Sequence, residues 1–193
     1  MCRIVSVKYC NFNFIMILFL NRQIAFALLE DVPAITALLN KAYRGESSTK
    51  GWTTEAHLIA GNTRTDEKNL QEIMQQSGSI VLKFINGQEG IIGCVNLQQH
   101  GNKIYLGMLS VLPQLQGFGV GKHLLQAAEE YAQYLQCGSI YMSVISVRTD
   151  IINWYKRHGY TDTGEKKPFM EDGLTGKHLQ ALEFLTLEKQ MHT

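Results

Sequence analysis

The clearest pattern of apolar and polar positions lies between residues 124 and 136. Apolar side chains recur there with the period of an α-helix, while glutamine and glutamate occupy the other side. The apolar positions are Leu124, Leu125, Ala128, Tyr131, Ala132 and Leu135. This pattern predicts an amphipathic helix with one buried face and one face in water.

The segment before this helix, residues 104–112, is mostly apolar and lies between Gly101-Asn102 and Pro113. A continuous apolar run bounded by turn residues is typical of a strand that is covered on both faces. We therefore expect a strand, a turn and a helix in that order.

Other patterns predict the remaining elements. Strands are expected at 23–28, 79–85, 91–97, 139–146, 160–165 and 179–188, and helices at 31–43, 54–59, 66–76 and 150–158. The strands at 79–85 and 91–97 flank an Asn-Gly turn and are expected to form an antiparallel hairpin.

The turn before the amphipathic helix has glycine at alternate positions, in Gln116-Gly117-Phe118-Gly119-Val120-Gly121. Because glycine has no side chain, the N–H groups of the first helical turn stay accessible, and they carry the positive end of the helix dipole. Such a turn suits an anion, most often phosphate. The structural alternative is a turn that only packs the helix closely against the strand.

Spacing separates the phosphate-binding loops that this turn resembles. A P-loop requires G-x-x-x-x-G-K-[ST], but Gln116 occupies the first glycine position and His123 follows Lys122. A dinucleotide-binding turn requires G-x-G-x-x-G and an acidic residue about 20 residues further on. Here the glycine spacing is G-x-G-x-G, and the next predicted strand, residues 139–146, contains no aspartate or glutamate. Both motifs are therefore disfavoured.

The remaining pattern, Gln116-x-x-Gly119-x-Gly121, resembles the pyrophosphate loop [RQ]-x-x-G-x-[GA] of the GNAT superfamily of acyl-CoA-dependent N-acyltransferases. The predicted order of elements is similar to that of the family over residues 23–190. The resemblance implies an α+β fold with a mixed, mostly antiparallel central sheet flanked by helices. It also implies that the sheet splays open between the strands at 104–112 and 139–146, where the cofactor binds.

The resemblance carries cofactor contacts onto specific positions of this chain. Within the family, pantetheine lies beside the first strand of the opening, and the glycine-rich loop holds the pyrophosphate. The corresponding residues are Leu109, Ser110 and Val111 on the strand and Gln116, Gly117, Phe118, Gly119, Val120, Gly121 and Lys122 in the loop. The implied acyl donor is acetyl-CoA, with no metal.

A second local match lies at Tyr155-Lys-Arg-His-Gly159-Tyr160, which resembles the family's Y-x-x-x-G-[FY] helix ending. The family tyrosine commonly protonates the departing CoA thiolate, so Tyr155 is predicted to be the general acid. A phenol with a pKa of about 10 is protonated at neutral pH. The alternative is a tyrosine that only packs on the helix. Where many members have asparagine, this chain has Arg148, for which a phosphate contact and a solvated position both remain open.

Acyl transfer from a thioester to an amine requires a proton acceptor for the amine and a backbone donor for the oxyanion, expected near residues 109–111. No covalent nucleophile is required. The tentative base is Glu55, with Asp66 and Glu165 as alternatives. Trp52, Glu55 and Arg64 are expected to shape the acceptor pocket, which suggests a polar, zwitterionic small acceptor.

Two functions follow from these patterns. The first is an acetyl-CoA-dependent N-acetyltransferase that acts on a primary amine, of a small molecule or a peptide, in a ternary complex. The second is a non-catalytic module of the same fold that binds acyl-CoA as a sensor or interaction partner.

Composition indicates which partners and which cellular compartment to expect. The chain has 193 residues, a formal net charge of +1 and no stripe of lysine or arginine, so neither nucleic acid nor a membrane surface is an expected partner. Cys2, Cys10, Cys94 and Cys137 are far apart and lack metal-ligand spacing. Reduced, buried thiols and a cytoplasmic location are therefore expected.

The N-terminus contains a short apolar block, residues 12–20, followed by Ala25-Phe26-Ala27, which superficially resembles a cleaved secretory signal. Cleavage there would remove the first predicted strand. We therefore expect residues 1–22 to be an extension of doubtful function, with Met16 as an alternative start, before a single domain at 23–193. The apolar block could pack across a homodimer.

Overall fold

The computed structural model of the chain describes residues 4–9 and 12–191. In chain order, the strands are β1 (Ile4–Tyr9), β2 (Phe12–Ile17), β3 (Ile24–Phe26), β4 (Ile59–Ala60), β5 (Ser79–Asn86), β6 (Gly90–His100), β7 (Lys103–Val111), β8 (Ser139–Ile145), β9 (Thr161–Pro168), β10 (Lys177–His178) and β11 (Glu183–Gln190). The α-helices are α1 (Val32–Tyr43), α2 (Gly45–Ser48), α3 (Glu67–Gln75), α4 (Val120–Tyr134) and α5 (Thr149–Arg157).

Seven strands form the central sheet, in the order β3-β5-β6-β7-β8-β11-β9. Neighbours in this sheet are antiparallel except β7 and β8, which are parallel. Side chains alternate along each strand, so both faces of the sheet carry apolar residues, and helices cover both faces. In β5, Val81 packs with α1 and α3, while Leu82 packs in the larger core with α4. The predicted α+β fold with a mostly antiparallel sheet is therefore confirmed.

The sheet opens between its two parallel strands. Pairing between β7 and β8 covers only residues 103–105 and 139–141, after which the strands separate. On its other edge, β7 has an irregularity in its register with β6, where Met108 has φ 52° in the left-handed region. The bulge and the separation together produce the predicted splay at the carboxyl end of β7.

One predicted helix is wrong. Residues 54–59 form a single hydrogen-bonded turn, in which Ile59 N–H donates to the Glu55 carbonyl at 2.9 Å, and the chain then enters β4. Strand β4 pairs with β10, and that pairing pulls the segment into extended structure. Four to six residues are also too few to make a helix stable without strong tertiary support.

The N-terminal segment forms a separate two-stranded antiparallel sheet, β1 with β2. Ile17 and Phe19 are buried in the larger core, and the Phe19 ring lies 5.5 Å from that of Phe26. Core packing therefore begins before residue 23. No helix in the described part of the chain is both long and apolar enough to cross a bilayer.

Two of the four cysteines, Cys94 and Cys137, are buried and free of disulfides, as predicted. Burial raises the pKa of the Cys94 thiol to about 12, so this thiol stays protonated and unreactive near neutral pH. Cys2 and Cys10 lie outside the described residues.

Candidate active site

A cleft of about 1240 Å³, including its open mouth, lies where β7 and β8 separate. The glycine-rich loop lines one part of it and the loop at 52–55 another, and Tyr155 from α5 lines a third. Residues far apart in the sequence therefore meet in one cavity. The predicted site residues that line it are Trp52, Glu55, Arg64, Leu109, Val111, Gln116, Gly117, Gly119, Gly121, Lys122 and Tyr155.

Three predicted cofactor residues do not line the cleft. Ser110 and Val120 are buried, at 1% and 7% exposure, because their side chains point into the packed interior. Phe118 is 79% exposed. For Ser110 and Val120, only the backbone is available as a contact, whereas the exposed Phe118 side chain lies outside the cleft lining.

The start of α4 has the properties of an anion site. Its N-cap residue, Gly119, has φ 86°, and no side chain caps the helix or places an acidic group in its first turn. Gly117 also has positive φ, and a Cβ added there would meet no protein atom within 4 Å. The first-turn N–H groups thus lack a side-chain acceptor, and the space above Gly117 is open. These residues fit a pyrophosphate.

Gln116 supports a neighbouring loop. Its Nε2 donates to Thr53 Oγ1 at 2.8 Å and to the Val111 carbonyl at 3.0 Å, and its Oε1 accepts from Trp52 N–H at 2.8 Å. A Cβ at Gly51 would lie 2.9 Å from the Gln116 amide, so glycine is required for this close approach. The Gln116 side chain therefore joins the end of β7 to the segment 51–55.

Three tyrosines line the cleft: the predicted acid Tyr155 and two others, Tyr43 and Tyr105. Burial raises the pKa of the Tyr155 phenol, and the nearby hydroxyls of Tyr43 and Tyr105 act in the same direction. Burial, followed by the charge of Glu55, raises the pKa of Tyr43 to about 12. Burial disfavours the phenolate, which is the charged form. Tyr155 therefore keeps its proton at neutral pH.

Comparison with known proteins decides the family. A model of the acetyltransferase (GNAT) family matches residues 33–160, which is well over half of the chain. The chain belongs to the GNAT acetyltransferase family. It is therefore an acyltransferase.

Solved structures agree with the GNAT fold. The ribosomal-protein-S18-alanine N-acetyltransferase of Escherichia coli aligns over 88% of this chain and 94% of its own, with a TM-score of 0.65 and 12% identity. The ribosomal-protein-alanine N-acetyltransferase of Brucella melitensis aligns over 86% and 98%, with a TM-score of 0.65 and 19% identity. The yncA protein of Salmonella typhimurium, solved with its cofactor acetyl-CoA, aligns over 88% and 94%, with a TM-score of 0.63 and 20% identity. At these identities, the similarity concerns the fold.

Arg148 in this GNAT chain is neither solvated nor available to a phosphate, so both earlier interpretations of it are wrong. It is 5% exposed, and its guanidinium donates to the carbonyls of Trp52, Thr53 and Thr54. It also makes two hydrogen bonds to the Asp150 carboxylate, at 3.0 and 3.1 Å. Arg148 therefore fixes the loop at 52–54 against the start of α5.

The three candidate bases lie in different settings. Glu55 lines the cleft, and its Oε2 accepts from Arg44 Nη1 at 2.6 Å. Asp66 caps α3 by accepting from Asn69 N–H at 2.7 Å, and the exposed Glu165 pairs with Lys167 at 3.1 Å. Neither Asp66 nor Glu165 lines the cleft.

Sequence reasoning missed Arg44, which is 1% exposed. Besides Glu55, it donates to the Thr175 carbonyl from Nε and Nη2, at 3.2 and 3.0 Å, and to the Tyr43 carbonyl at 3.2 Å. It thereby joins α1, the cleft wall and the segment before β10. An arginine just after a helix end usually lies in solvent, so its position gave no local signal.

Proposed function

We propose that this chain transfers the acetyl group of acetyl-CoA directly to a primary amine, in a ternary complex. The observation that supports this most strongly is that one cleft, at the splay of β7 and β8, is lined by both the glycine-rich loop and Tyr155. The loop suits the phosphates of the donor, and the tyrosine suits the sulfur that must leave. A structural role alone would not require both groups in one cavity.

The donor supplies a thioester when bound. Its pyrophosphate is assigned to the backbone N–H groups of residues 117–122 and to Lys122, and its pantetheine arm to the backbone of residues 109–111. Lys122 lies in the first turn of α4, where its charge adds to that of the helix dipole. No side chain from the described lining needs to form a covalent bond with the acyl group.

The reaction forms one bond and breaks another. The amine nitrogen attacks the thioester carbonyl carbon, the C–S bond breaks and the sulfur takes the phenolic proton of Tyr155. Backbone N–H groups of β7 around the bulge at Met108 hold the developing oxyanion, which is the usual role of fixed dipoles in acyl transfer.

The amine must also lose a proton. Among the described residues that line the cleft, Glu55 is the one carboxylate. Glu55 is therefore our tentative base. Because Arg44 holds its Oε2 at 2.6 Å, proton transfer from the amine would use the other carboxylate oxygen, Oε1.

Calorimetric titration with acetyl-CoA, followed by a thiol-release assay over a panel of amines, tests this proposal. We expect 1:1 binding and acceptor-dependent release of the CoA thiol. Binding without release for any amine would favour the alternative function, a module that only binds acyl-CoA. Absence of acetyl-CoA binding would overturn both functions.

A further inference from the structure

Four charged side chains line the cleft: Glu55, Arg64, Lys122 and Arg148. Two of them are already paired, Glu55 with Arg44 at 2.6 Å and Arg148 with Asp150 at 3.0 Å. Lys122 belongs to the glycine-rich loop. Within the described part of the chain, no carboxylate oxygen lies within 4.0 Å of the Arg64 guanidinium. The charge of Arg64 acts on the Asp172 carboxylate, but from beyond salt-bridge distance. Arg64 is therefore a positive charge in the cleft with no carboxylate in direct contact.

Helix α1 holds Arg64 in place through two residues on one face. Asn40 Oδ1 accepts from the backbone N–H groups of Arg64 and Thr65, and Asn40 Nδ2 donates to the Thr65 carbonyl at 2.9 Å. Tyr43, three residues after Asn40 on α1, places its ring beneath the Arg64 guanidinium. The Arg64 Cζ atom lies 5.6 Å from the centroid of that ring. A side chain fixed in this way loses little entropy when it binds an anion.

Arg64 lies beside the bulge of β7. The hydroxyl of Tyr43, whose ring is beneath the Arg64 guanidinium, donates to the Leu109 carbonyl at 2.9 Å, directly after Met108. Lys122 lies further along the chain, in the first turn of α4. Arg64 is therefore held near the bulge by α1, whereas Lys122 belongs to the glycine-rich loop.

We propose that Arg64 binds an anionic group of the acceptor, which makes the acceptor a small amine that carries a carboxylate or phosphonate. This assignment rests on the proposed function. A guanidinium presents paired donors that match the two oxygens of either group. The described lining also offers no unpaired carboxylate to a polycation, so polyamines and lysine-rich tails do not match its charge.

Matched amine pairs test this assignment. The carboxylate arm compares each of the common amino acids with its amide, and the phosphonate arm compares α-aminophosphonates with their diesters. Thiol release from acetyl-CoA is measured for all of them with the wild-type protein. We expect at least a tenfold preference in kcat/KM for the anionic member of at least one arm, and the arm that shows it identifies the anion.

Variants then locate the preference. Arg64→Met should remove the preference by lowering kcat/KM for the anionic amine about 10- to 100-fold. Arg64→Lys should retain part of the preference, because the lysine ammonium is still a point charge. Both variants should bind acetyl-CoA like the wild type. Arg157→Met, which removes an exposed arginine outside the cleft, is the matched control and should keep the full preference.

The outcomes separate this assignment from the proposed function. If neutral and anionic amines are acetylated equally well, or if Arg64→Met keeps the preference, the assignment is overturned while the acetyltransferase function stands. If acetyl-CoA binds but no amine in either panel releases thiol, the assignment is overturned while the proposed function is still decided by the general amine panel. If acetyl-CoA does not bind, the proposed function and the assignment fail together.

Discussion

The hydroxyl of Tyr43 donates a 2.9 Å hydrogen bond to the carbonyl of Leu109. This bond joins Tyr43, the last residue of α1, to Leu109 on β7. Leu109 directly follows Met108, the residue with φ 52°. A backbone in the left-handed region is less stable for a residue with a side chain, so it needs support from its surroundings. Tyr43 supplies that support at the point where the strand leaves the regular sheet.

Replacing Tyr43 with phenylalanine should therefore disturb the proposed oxyanion donors and the fold to a similar extent. The lost hydrogen bond is worth about 1 kcal/mol, so we expect kcat to fall roughly fivefold to tenfold and stability to fall by a similar free energy. Steady-state thiol release and thermal unfolding measure the two effects. Tyr134→Phe, on α4 and outside the cleft, is the control. Unchanged kcat in Tyr43→Phe would contradict a positioning role.

Two substitutions at Gly117 separate charge from backbone strain in the phosphate loop. Alanine and glutamate at this position share the cost of positive φ, and neither Cβ meets a protein atom within 4 Å. Glutamate adds a negative charge beside the proposed pyrophosphate. We expect its Kd for acetyl-CoA to rise at least tenfold above that of Gly117→Ala, as measured by calorimetry. Equal affinities in the two variants would remove the loop from the binding site.

Arg148→Met should release the loop at 52–54. The substitution leaves the carbonyls of Trp52, Thr53 and Thr54 without their donor, which we expect to cost about 2–3 kcal/mol of stability. Hydrogen exchange followed by mass spectrometry should show faster exchange in residues 51–56 than in the wild type. Arg157→Met controls for the loss of charge. Unchanged exchange in this loop would show that Arg148 does not hold it.

The buried tyrosines predict how stability depends on pH. Burial raises the folded-state pKa of both Tyr43 and Tyr155, to about 12 for Tyr43, whereas an unfolded chain ionises near pH 10. Above about pH 10 the unfolded state binds fewer protons than the folded state, so the free energy of unfolding falls as pH rises. Below about pH 10 these tyrosines are protonated in both states, so they do not make the free energy of unfolding depend on pH. Thermal unfolding between pH 8 and 11.5 measures this, and Tyr155→Phe should flatten the alkaline decline.

The same shifts apply to catalysis. Because the phenol of Tyr155 remains protonated well above neutral pH, activity should rise as the amine loses its proton and should not decline between pH 8 and 10. A kcat/KM profile with a falling limb in that interval would assign the acid to another group.

The sequence was sufficient to predict the parts of this molecule that depend on local periodicity. The amphipathic pattern of residues 124–135 fills one side of α4, and the glycine spacing before it produces the left-handed N-cap at Gly119. The apolar run at 104–112 became β7, in which residues 104–111 are all buried or half-buried. These signals lie within one element and its cap, where short-range rules apply.

The parts that were missed depend on contacts between distant segments. Arg148 donates to carbonyls 94 to 96 positions earlier in the chain, and Arg44 to a carbonyl 131 positions later. Neither residue has a neighbour in sequence that indicates burial. Glu55 was expected in the acceptor region and does line the cleft, but its ion pair with Arg44 was not visible in any local pattern.

The most direct test of the catalytic account compares Tyr155→Phe with the wild type in two quantities, kcat for acetyl-CoA-dependent acylation of an accepted amine and Kd for acetyl-CoA. Phenylalanine keeps the ring packing against Trp154 and Tyr160, at 5.0 and 5.7 Å, but lacks the proton that the sulfur would take. We predict that kcat falls about 100-fold while Kd changes less than threefold. An unchanged kcat in a folded Tyr155→Phe protein would contradict the account.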